Sequence, residues 1–224
     1  MKIAIFSLTK NRLDYTKLCL SALKKHTKLK YDHFIIDQAS SDETVKYLQI
    51  SKHLLNLKIY PLKKNIGINR GVNFALDKIG KNYDVIVKID NDGQIQTKGW
   101  LKKIIDVLGK KEVLSPYVLG LRDNRGGVNR IGFDKERKIG FTPFIGGICM
   151  IAYKNAWENS NGWEFPAPLH AGGDRNFCQR LSLEGYRFGY KEDVVIYHID
   201  NTERQENKYK DYFKLRKQER VTIL

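Results

Sequence analysis

The sequence predicts an α/β protein with a mostly parallel central sheet flanked by helices. Short β-branched apolar runs, typical of strands buried on both faces, alternate with helical patterns through residues 1–95. Parallel strands need such helical crossovers, which then cover the faces of the sheet. Three of the predicted strands also end in polar residues, at 9–12, at 37 and at 90–92. We therefore expect these residues to meet at one edge of the sheet, where open α/β sheets bind ligands.

Local signals predict each element of this half. Residues 2–8 form the first predicted strand, and Asp14 is the expected cap of the helix that follows it. Ser40 and Glu43 have the spacing of a capping box, which predicts a second helix that starts near Ser41. The remaining elements are a strand at 32–37, a strand at 57–60 and a glycine-spaced loop leading into a helix at 65–76.

The strand predicted at 85–89 ends in two carboxylates, Asp90 and Asp92, followed by Gly93. Two like charges this close hinder each other's ionisation, and a divalent cation removes that penalty. Mg²⁺ and Mn²⁺ commonly bind one or two carboxylates and complete their coordination with phosphate oxygens and water. We interpret the stretch as a metal–diphosphate site. A solvated turn explains the same residues, because Asn, Asp and Gly are ordinary turn residues.

Length and composition indicate one domain. The chain has 224 residues, 42% of them apolar, and no run near the ~20 apolar residues of a membrane-spanning helix. Its first residues enter a strand without the apolar segment of a signal peptide. Cys19, Cys149 and Cys178 are far apart and odd in number, which indicates buried thiols in a reducing compartment. We expect a cytoplasmic protein, soluble or peripheral at the inner membrane face, or in the host cytoplasm if viral.

The formal net charge of +15 favours polyanionic partners, which include nucleic acid, an anionic membrane face and charged glycans. A solvated lysine-rich surface is the alternative explanation. Acidic and basic side chains alternate over about 201–220, which predicts a basic helical tail at 201–224 that packs on the domain or touches a membrane face.

The second half of the chain carries further candidate features. An apolar stripe at 100–108 predicts a helix that packs on the core, and residues 120–143 predict an irregular excursion or a ribbon. Asp174 follows two glycines at the start of a predicted helix, where it is either a cap or a general base. His198 ends a buried strand predicted at 194–198 and is either structural or a ligand.

Taken in order, these motifs resemble glycosyltransferase family 2, which has the GT-A fold, over roughly residues 2–200. No single motif is specific, but six of them stand in the family's order. They are Thr9-Lys10-Asn11-Arg12, Asp37-Gln38-Ala39-Ser40-Ser41-Asp42, Asn65-Ile66-Gly67 with Gly71 and Asn73, the DxD motif Asp90-Asn91-Asp92, Gly173-Asp174 and Tyr197-His198. The resemblance implies a single GT-A domain at 1–200, whose small C-terminal portion is irregular or antiparallel. Residues 1–95 would bind the nucleotide sugar, and residues 96–200 would bind the acceptor and carry catalysis.

The resemblance also implies a role for each residue. Asp92 would ligate Mn²⁺ or Mg²⁺ with His198 as a second protein ligand. Asp174 would deprotonate the acceptor hydroxyl and so give inversion at the anomeric carbon. The residues implied to bind the nucleotide and donor sugar are Thr9, Asn11, Arg12, Asp37, Asn65, Gly67, Arg70, Asp90 and Asn91. Among them, Asp37 would contact the base, commonly uracil, and Asp90 the ribose or a metal-bound water.

Two positions depart from the family's pattern. Gln38 stands where an acidic residue is common, which affects the expected recognition of the base or ribose. Gly173 stands where glutamate is common, so the assignment of a general base rests on Asp174 alone, with Asp193 and Glu192 as alternatives.

The sequence therefore predicts an inverting, metal-dependent glycosyltransferase that uses a nucleotide-diphosphate donor, with UDP-sugars favoured. The expected acceptor is a cell-surface or lipid-linked glycan. Transfer to modified bases of DNA is an alternative, because the charge suits phosphate contacts. A nucleotidyltransferase is a competing class, but the Gly-rich loop that it needs after the first strand is missing from Ser7 to Arg12. A non-catalytic nucleotide-binding module is a further class, and its function would not depend on Asp174.

Overall fold

The computed structural model describes residues 1–121, 130–163 and 172–199, and residues 207, 208, 210, 211 and 214 beyond them. Strands and helices alternate from β1 to β4, as the spacing of buried runs predicts. The strands are β1 (Ile3–Thr9), β2 (Asp32–Asp37), β3 (Leu57–Pro61), β4 (Val85–Ile89), β5 (Gly93–Ile95), β6 (Glu112–Leu119), β7 (Gly132–Asp134), β8 (Ile139–Thr142), β9 (Cys149–Tyr153) and β10 (Arg187–His198). The helices are α1 (Leu13–His26), α2 (Thr44–Ser51), α3 (Ile68–Ile79), α4 (Trp100–Ile105), α5 (Lys154–Asn159) and α6 (Gly173–Leu183).

One sheet joins the strands of both halves. Its order is β3-β2-β1-β4-β9-β6-β10-β8-β7, and β5 pairs with β10 outside this path. Strands β3, β2, β1 and β4 are parallel to one another, and β10 is parallel to β6. Strand β9 is antiparallel to both β4 and β6, and the hairpin of β7 and β8 is antiparallel to β10. The predicted fold class is confirmed, and every antiparallel pair among the described strands includes a strand of the second half.

The parallel half of the sheet forms the centre of the core. All five residues of β4 are buried, and Ala4, Ile5 and Phe6 of β1 are inaccessible to solvent. Helix α3 packs on β1 and β2, while α4 packs on β6 and β10. The apolar stripe predicted at 100–108 is buried, as its helical spacing indicates.

Two predicted helix starts are wrong. Helix α1 begins at Leu13 after a left-handed Arg12, so Asp14 lies in its first turn and is not the cap. Helix α2 begins at Thr44, about three residues later than the capping-box spacing indicates. Its capping box does not form, because the Ser40 hydroxyl donates to Asp37 instead. A carboxylate three residues earlier in the chain thus competes for the hydroxyl that a capping box would use.

Two further predictions for the fold agree with the described residues. Cys19, Cys149 and Cys178 are free and buried, and burial raises the pKa of each thiol. The hairpin of β7 and β8 is the ribbon predicted within 120–143, of which residues 122–129 lie outside the described part. Most of the tail predicted at 201–224 also lies outside it. Among the helices that the structure describes, none combines the length and the apolarity needed to cross a bilayer.

Candidate active site

The loops that follow β1 and β4 meet at the point where successive strands change from one side of β1 to the other. Strands β2 and β3 lie on one side of β1 and β4 lies on the other, so the carboxyl ends of β1 and β4 mark the switch point at which open α/β sheets bind ligands. Arg12 follows β1 and donates through Nη1 to Asp92 Oδ2 and through Nη2 to Asn91 Oδ1, both at 3.1 Å. The Asn91 amide in turn donates to Thr16 Oγ1 at 3.0 Å. The structure therefore brings Arg12, Asn91 and Asp92 together.

Hydrogen bonds interlock the loops after β1 and β2. The Asn11 backbone amide donates to Ser40 Oγ at 2.7 Å, and the Ser41 amide donates to Asn11 Oδ1 at 2.8 Å. Asn11, Arg12 and Ala39 have φ angles of 52°, 60° and 58°. This left-handed conformation costs a non-glycine residue roughly 1–2 kcal/mol and persists only where surrounding contacts impose it. The interlocked loops therefore hold the backbone from which the Arg12 side chain extends.

Asp37 and Thr9 lie beneath these loops and are buried. Thr9 Oγ1 donates to Asp37 Oδ2 at 3.0 Å. Ser40 donates to the same carboxylate through its amide, at 2.9 Å, and through its hydroxyl, at 2.5 Å. Both oxygens of Asp37 accept hydrogen bonds from protein donors, so the side chain organises the loop. The contacts of Asp37 and Thr9 with a nucleotide stay predictions.

Gln38 supports the glycine-containing loop before α3. Its Nε2 donates to Gly67 O at 2.8 Å, and its Oε1 accepts from the Ile66 amide at 3.0 Å. Because a carboxylate only accepts, an acidic residue could not make both bonds, which gives a structural reason for glutamine here. Asn65 Oδ1 accepts from the Gly67 amide at 2.9 Å within the same turn. Arg70 is exposed in the first turn of α3, and its donor contact stays a prediction.

The pairing of β5 with β10 places His198 beside Asp92. Gly93 is in register with His198, and the Ile199 amide donates to Asp92 O at 2.9 Å. His198 Nε2 then lies 3.8 Å from Asp92 Oδ1. Burial alone would raise the pKa of Asp92, but the nearby Arg12 and His198 outweigh it and lower the pKa below its usual value. Asp92 is therefore a carboxylate held in its ionised form.

Asp92 and His198 fit a divalent cation as two of its ligands. Their N···O separation of 3.8 Å is too long for a hydrogen bond. It is shorter than the ~4.2 Å that two bonds of about 2.1 Å to one cation can span. Within residues 1–121, 130–163 and 172–199, no group of three or more His, Cys, Asp or Glu side chains is placed to hold a metal. A cation here would need most of its ligands from phosphate oxygens and water, as Mg²⁺ and Mn²⁺ usually do.

Asp90 is paired with a buried lysine. Lys88 Nζ donates to Asp90 Oδ1 at 2.5 Å, and only 3% of the lysine side chain is exposed. Burial and the neighbouring carboxylate of Asp92 raise the pKa of Asp90 despite this ammonium. The pKa values of Asp90 and Asp92 therefore move apart, as expected for two carboxylates that share a site.

Asp174 lies in the first turn of α6, and the N-cap residue is the left-handed Gly172. Asp174 Oδ2 accepts from the Gly147 amide at 3.0 Å. The Gly147 carbonyl accepts from Lys88 Nζ, and the same ammonium binds Asp90. Two intervening residues therefore connect Asp174 with Asp90, which places both carboxylates in one region of the molecule.

The two alternative general bases are engaged in other ion pairs. Asp193 pairs with Lys191 and with Lys138, the latter at 3.9 Å, while Glu192 pairs with Arg130. Lys138 and Arg130 belong to the segment around the β7–β8 hairpin. These contacts tie both carboxylates to the hairpin that pairs with β10.

Sequence reasoning assigned no role to Lys88, Gly147 or Trp163. Lys88 carries a signal, since it is a charged residue within a buried run. Trp163 carries none: its ring lies 5.3 Å from Lys88 Nζ and packs on Gly147 and Gly173. These contacts join residues far apart in the chain, so tertiary packing alone reveals them.

Comparison with known proteins identifies the family. The model of Glycosyl transferase family 2 matches residues 5–150, which is more than half of the chain. This segment includes Arg12 and the motif Asp90-Asn91-Asp92, whereas Asp174 and His198 follow it. No curated protein sequence matches the chain significantly.

Solved structures of low sequence identity share the fold. The mannosyltransferase PcManGT from Pyrobaculum calidifontis, in complex with GDP-Man and Mn²⁺, has a TM-score of 0.72 at 18% identity, covering 89% of this chain and 57% of that one. S. aureus TarS 1–349 in complex with UDP-GlcNAc has a TM-score of 0.67 at 19% identity, with coverages of 88% and 58%. GalNAc-T7 with UDP, GalNAc and Mn²⁺ has a TM-score of 0.71 at 13% identity, with coverages of 88% and 44%.

The chain thus spans between 44% and 58% of the length of these three structures. At such identities, the similarity to them concerns the fold alone. The family rests on the sequence match, which runs from β1 to the start of β9 and takes in the loops that follow β1 and β4. The chain therefore belongs to glycosyl transferase family 2, and its fold is GT-A.

Proposed function

We propose that this protein is an inverting, metal-dependent glycosyltransferase that moves a sugar from a nucleotide-diphosphate donor to an acceptor hydroxyl. The observation that carries the proposal is the convergence of Arg12, Asp92 and His198 at the edge between β1 and β4. Asp174 is connected through Gly147 and Lys88 to Asp90, which stands two residues before Asp92. In this proposal residues 1–95 bind the donor, and residues 96–200 bind the acceptor and supply the base.

Arg12 and Asp92 prepare the diphosphate side of the site. Arg12 occupies one oxygen of Asp92, so the other oxygen, Oδ1, remains directed toward His198. Asp92 and His198 would hold the Mn²⁺ or Mg²⁺ ion. When bound, such a cation neutralises the negative charge that develops on the leaving diphosphate. PcManGT and GalNAc-T7, two of the similar structures, were solved with Mn²⁺, which supports this choice of cofactor.

Asp174 is the proposed general base. A sugar hydroxyl is a weak nucleophile, and a positioned carboxylate that accepts its proton typically contributes ~10²–10⁴-fold in rate. The Gly147 amide orients one oxygen of Asp174, and Oδ1 accepts only from the amide of the next residue, Arg175, at 2.9 Å among the described residues. Attack by the activated hydroxyl from the face opposite the diphosphate gives inversion.

The donor and acceptor are proposed by class. A UDP-sugar is our first choice of donor, and UDP or UDP-GlcNAc is present in two of the related structures. A cell-surface or lipid-linked glycan is the proposed acceptor. Transfer to modified DNA bases is the second candidate, which the net charge of +15 favours. Salt-dependent binding to DNA, set against binding to anionic liposomes, separates the two.

A thermal-shift panel tests donor binding. The protein is heated with UDP, GDP, dTDP or CDP, each with and without Mn²⁺. One nucleotide should raise the melting temperature in the presence of Mn²⁺, because a ligand that binds only the folded state stabilises it. If none of the four nucleotides shifts the melting temperature under either condition, the proposal is contradicted.

Asp92→Ala should abolish the dependence of nucleotide binding on metal. Calorimetry with the nucleotide selected by the panel should show that Mn²⁺ strengthens binding at least 10-fold in the unmodified protein and less than 2-fold in the variant. Asp77→Ala, at an exposed carboxylate on α3, is the matched control and should behave like the unmodified protein. If Mn²⁺ strengthens nucleotide binding equally in both variants, Asp92 is not a metal ligand.

Asp174→Asn should keep donor binding and lose turnover. We expect the release of nucleoside diphosphate from its sugar donor to fall by ~10²–10⁴-fold, because the amide cannot accept the proton. The measured affinity for the nucleotide with Mn²⁺ should stay within about twofold. Asp193→Asn is the comparison variant. If it loses turnover while Asp174→Asn stays fully active, the general base is Asp193 and not Asp174.

A further inference from the structure

Lys88 lies in the middle of a buried strand. It is 2% exposed, and neighbouring strands pair with it on both sides, β1 through Phe6 and β9 through Met150. Burying an ammonium is costly, and an apolar residue of similar size would serve packing equally well or better. Packing of the core therefore does not explain why a lysine stands at this position.

The Lys88 ammonium joins Asp90, two residues later in the chain, to two groups that are distant in sequence. It donates to Asp90 Oδ1 at 2.5 Å and to the carbonyl of Gly147, and it lies 5.3 Å from the centre of the Trp163 ring. A Cβ placed on Gly147 would lie 3.5 Å from Lys88 Nζ, 3.5 Å from Asp174 Cβ and 3.2 Å from the Trp163 ring. The ammonium, the aromatic ring and Asp174 thus surround one glycine.

The loop at Gly146 and Gly147 needs anchors because two consecutive glycines have wide conformational freedom. The Gly146 amide donates to Tyr190 Oη at 3.2 Å, and the Gly147 amide donates to Asp174 Oδ2 at 3.0 Å. Lys88 holds the carbonyl side of Gly147. Removing the ammonium would leave that carbonyl without this donor. The Gly147 backbone could then rotate, and its amide would no longer be held toward Asp174.

We infer that Lys88 is a positioning residue for glycosyl transfer. Its ammonium anchors Gly147, so that the Gly147 amide orients Asp174 for proton abstraction, and it fixes Asp90 on the donor side of the same site. The catalytic consequence of this inference rests on the proposed role of Asp174 as the general base. The physical connection from Lys88 through Gly147 to Asp174 is testable without any substrate.

The first test measures amide hydrogen exchange at Gly147 by NMR. Lys88→Met, which keeps the length and removes the charge, should accelerate exchange at this amide at least 10-fold. Lys191→Met is the matched control, because Lys191 is also buried and contacts a carboxylate two residues along its strand, Asp193. Exchange in Lys191→Met should stay within twofold of the unmodified protein. If amide exchange at Gly147 in Lys88→Met also stays within twofold of the unmodified protein, the inference is overturned.

The second test measures turnover with UDP-GlcNAc and GDP-Man as probes, through release of UDP or GDP at saturating donor. Lys88→Met should lower kcat at least 10-fold, since a small displacement of a catalytic group is expensive in rate. Lys88→Gln, which retains a donor for the Gly147 carbonyl, should recover part of the loss. In the Asp174→Asn background, adding Lys88→Met should change turnover less than twofold.

The outcomes separate the two proposals. Equal losses from Lys88→Met in both backgrounds would mean that Lys88 acts independently of Asp174, which overturns the inference. Full turnover in Asp174→Asn would instead contradict the proposed base. In that case, or if neither probe is turned over, amide exchange at Gly147 still decides whether Lys88 anchors the loop.

Discussion

At the scale of single residues, the site depends on buried polar side chains whose donors and acceptors are matched to specific partners. Gln38 is 4% exposed and uses its amide as both donor and acceptor, toward Gly67 and Ile66. Gly71 leaves room for it, because a Cβ there would lie 2.6 Å from Gln38 Nε2. One side chain thus determines the shape of the loop that leads into α3.

Gln38→Glu should destabilise the protein and weaken nucleotide binding. The carboxylate would face the Gly67 carbonyl without a proton to donate, and a buried hydrogen bond lost in this way costs ~1–3 kcal/mol. Urea denaturation should show a reduced free energy of unfolding by this amount. Gln49→Glu, at an exposed position of α2, provides the control and should cost under ~0.5 kcal/mol. If both variants are equally stable, Gln38 does not hold the loop.

At the scale of elements, α6 begins where three separate segments pack together. Gly173 lies against Asn69 of α3 and the ring of Trp163. Asn73, also on α3, brackets the Trp163 backbone: its Nδ2 donates to Trp163 O and its Oδ1 accepts from the Trp163 amide, both at 2.8 Å. Helix α3 therefore positions the start of α6, and with it Asp174.

Gly173→Ala should destabilise the start of α6. A Cβ at this position would lie 2.3 Å from Asn69 Oδ1 and 2.3 Å from Trp163 Cε3, so the packing must shift. Overpacking of this kind typically costs 1–3 kcal/mol, and the displaced Asp174 should lower turnover as well. Thermal unfolding and nucleotide release measure the two effects. Gly132→Ala is the control, because a Cβ at Gly132 would meet nothing within 4 Å, and it should change neither quantity.

At the scale of the whole molecule, one sheet carries both proposed halves, so the two sides of the site share a single core. His33 belongs to this core. It is 1% exposed in β2, and its Nε2 is 3.0 Å from Ser7 Oγ of β1. Burial lowers the pKa of His33 from 6.5 to about 3, because the imidazolium would be poorly solvated there. The folded protein therefore keeps this ring neutral.

The free energy of unfolding should fall with pH below about 6.5. The unfolded chain protonates this histidine near pH 6.5 while the folded protein resists until about pH 3, so stability is lost across that interval. At pH 5, the His33 contribution should be a loss of ~2 kcal/mol relative to pH 7.5. Denaturation of His33→Asn should show a shallower pH slope than the unmodified protein. An unchanged slope, equal to that of the exposed-site control His53→Asn, would contradict this prediction.

The sequence by itself determined the fold class and the motifs at the carboxyl ends of β1, β2 and β4. Periodicity and β-branched runs record burial on both faces of a strand, and strand ends of a parallel sheet must share an edge. The proximity of Arg12, Asn91 and Asp92 follows from that rule. The functional roles assigned to them remain predictions, as do those of Asn65 and Arg70.

Only the tertiary structure decided which partner each polar group takes. Local spacing assigned Ser40 to a helix cap, but its hydroxyl oxygen accepts from the backbone amide of Asn11, which follows a different strand. Lys88 interrupts an apolar run, and nothing in its neighbourhood in sequence indicates that Gly147 and Trp163 will surround its ammonium. A buried donor bonds whichever acceptor packing brings within reach, and packing joins residues that the order of the chain keeps apart.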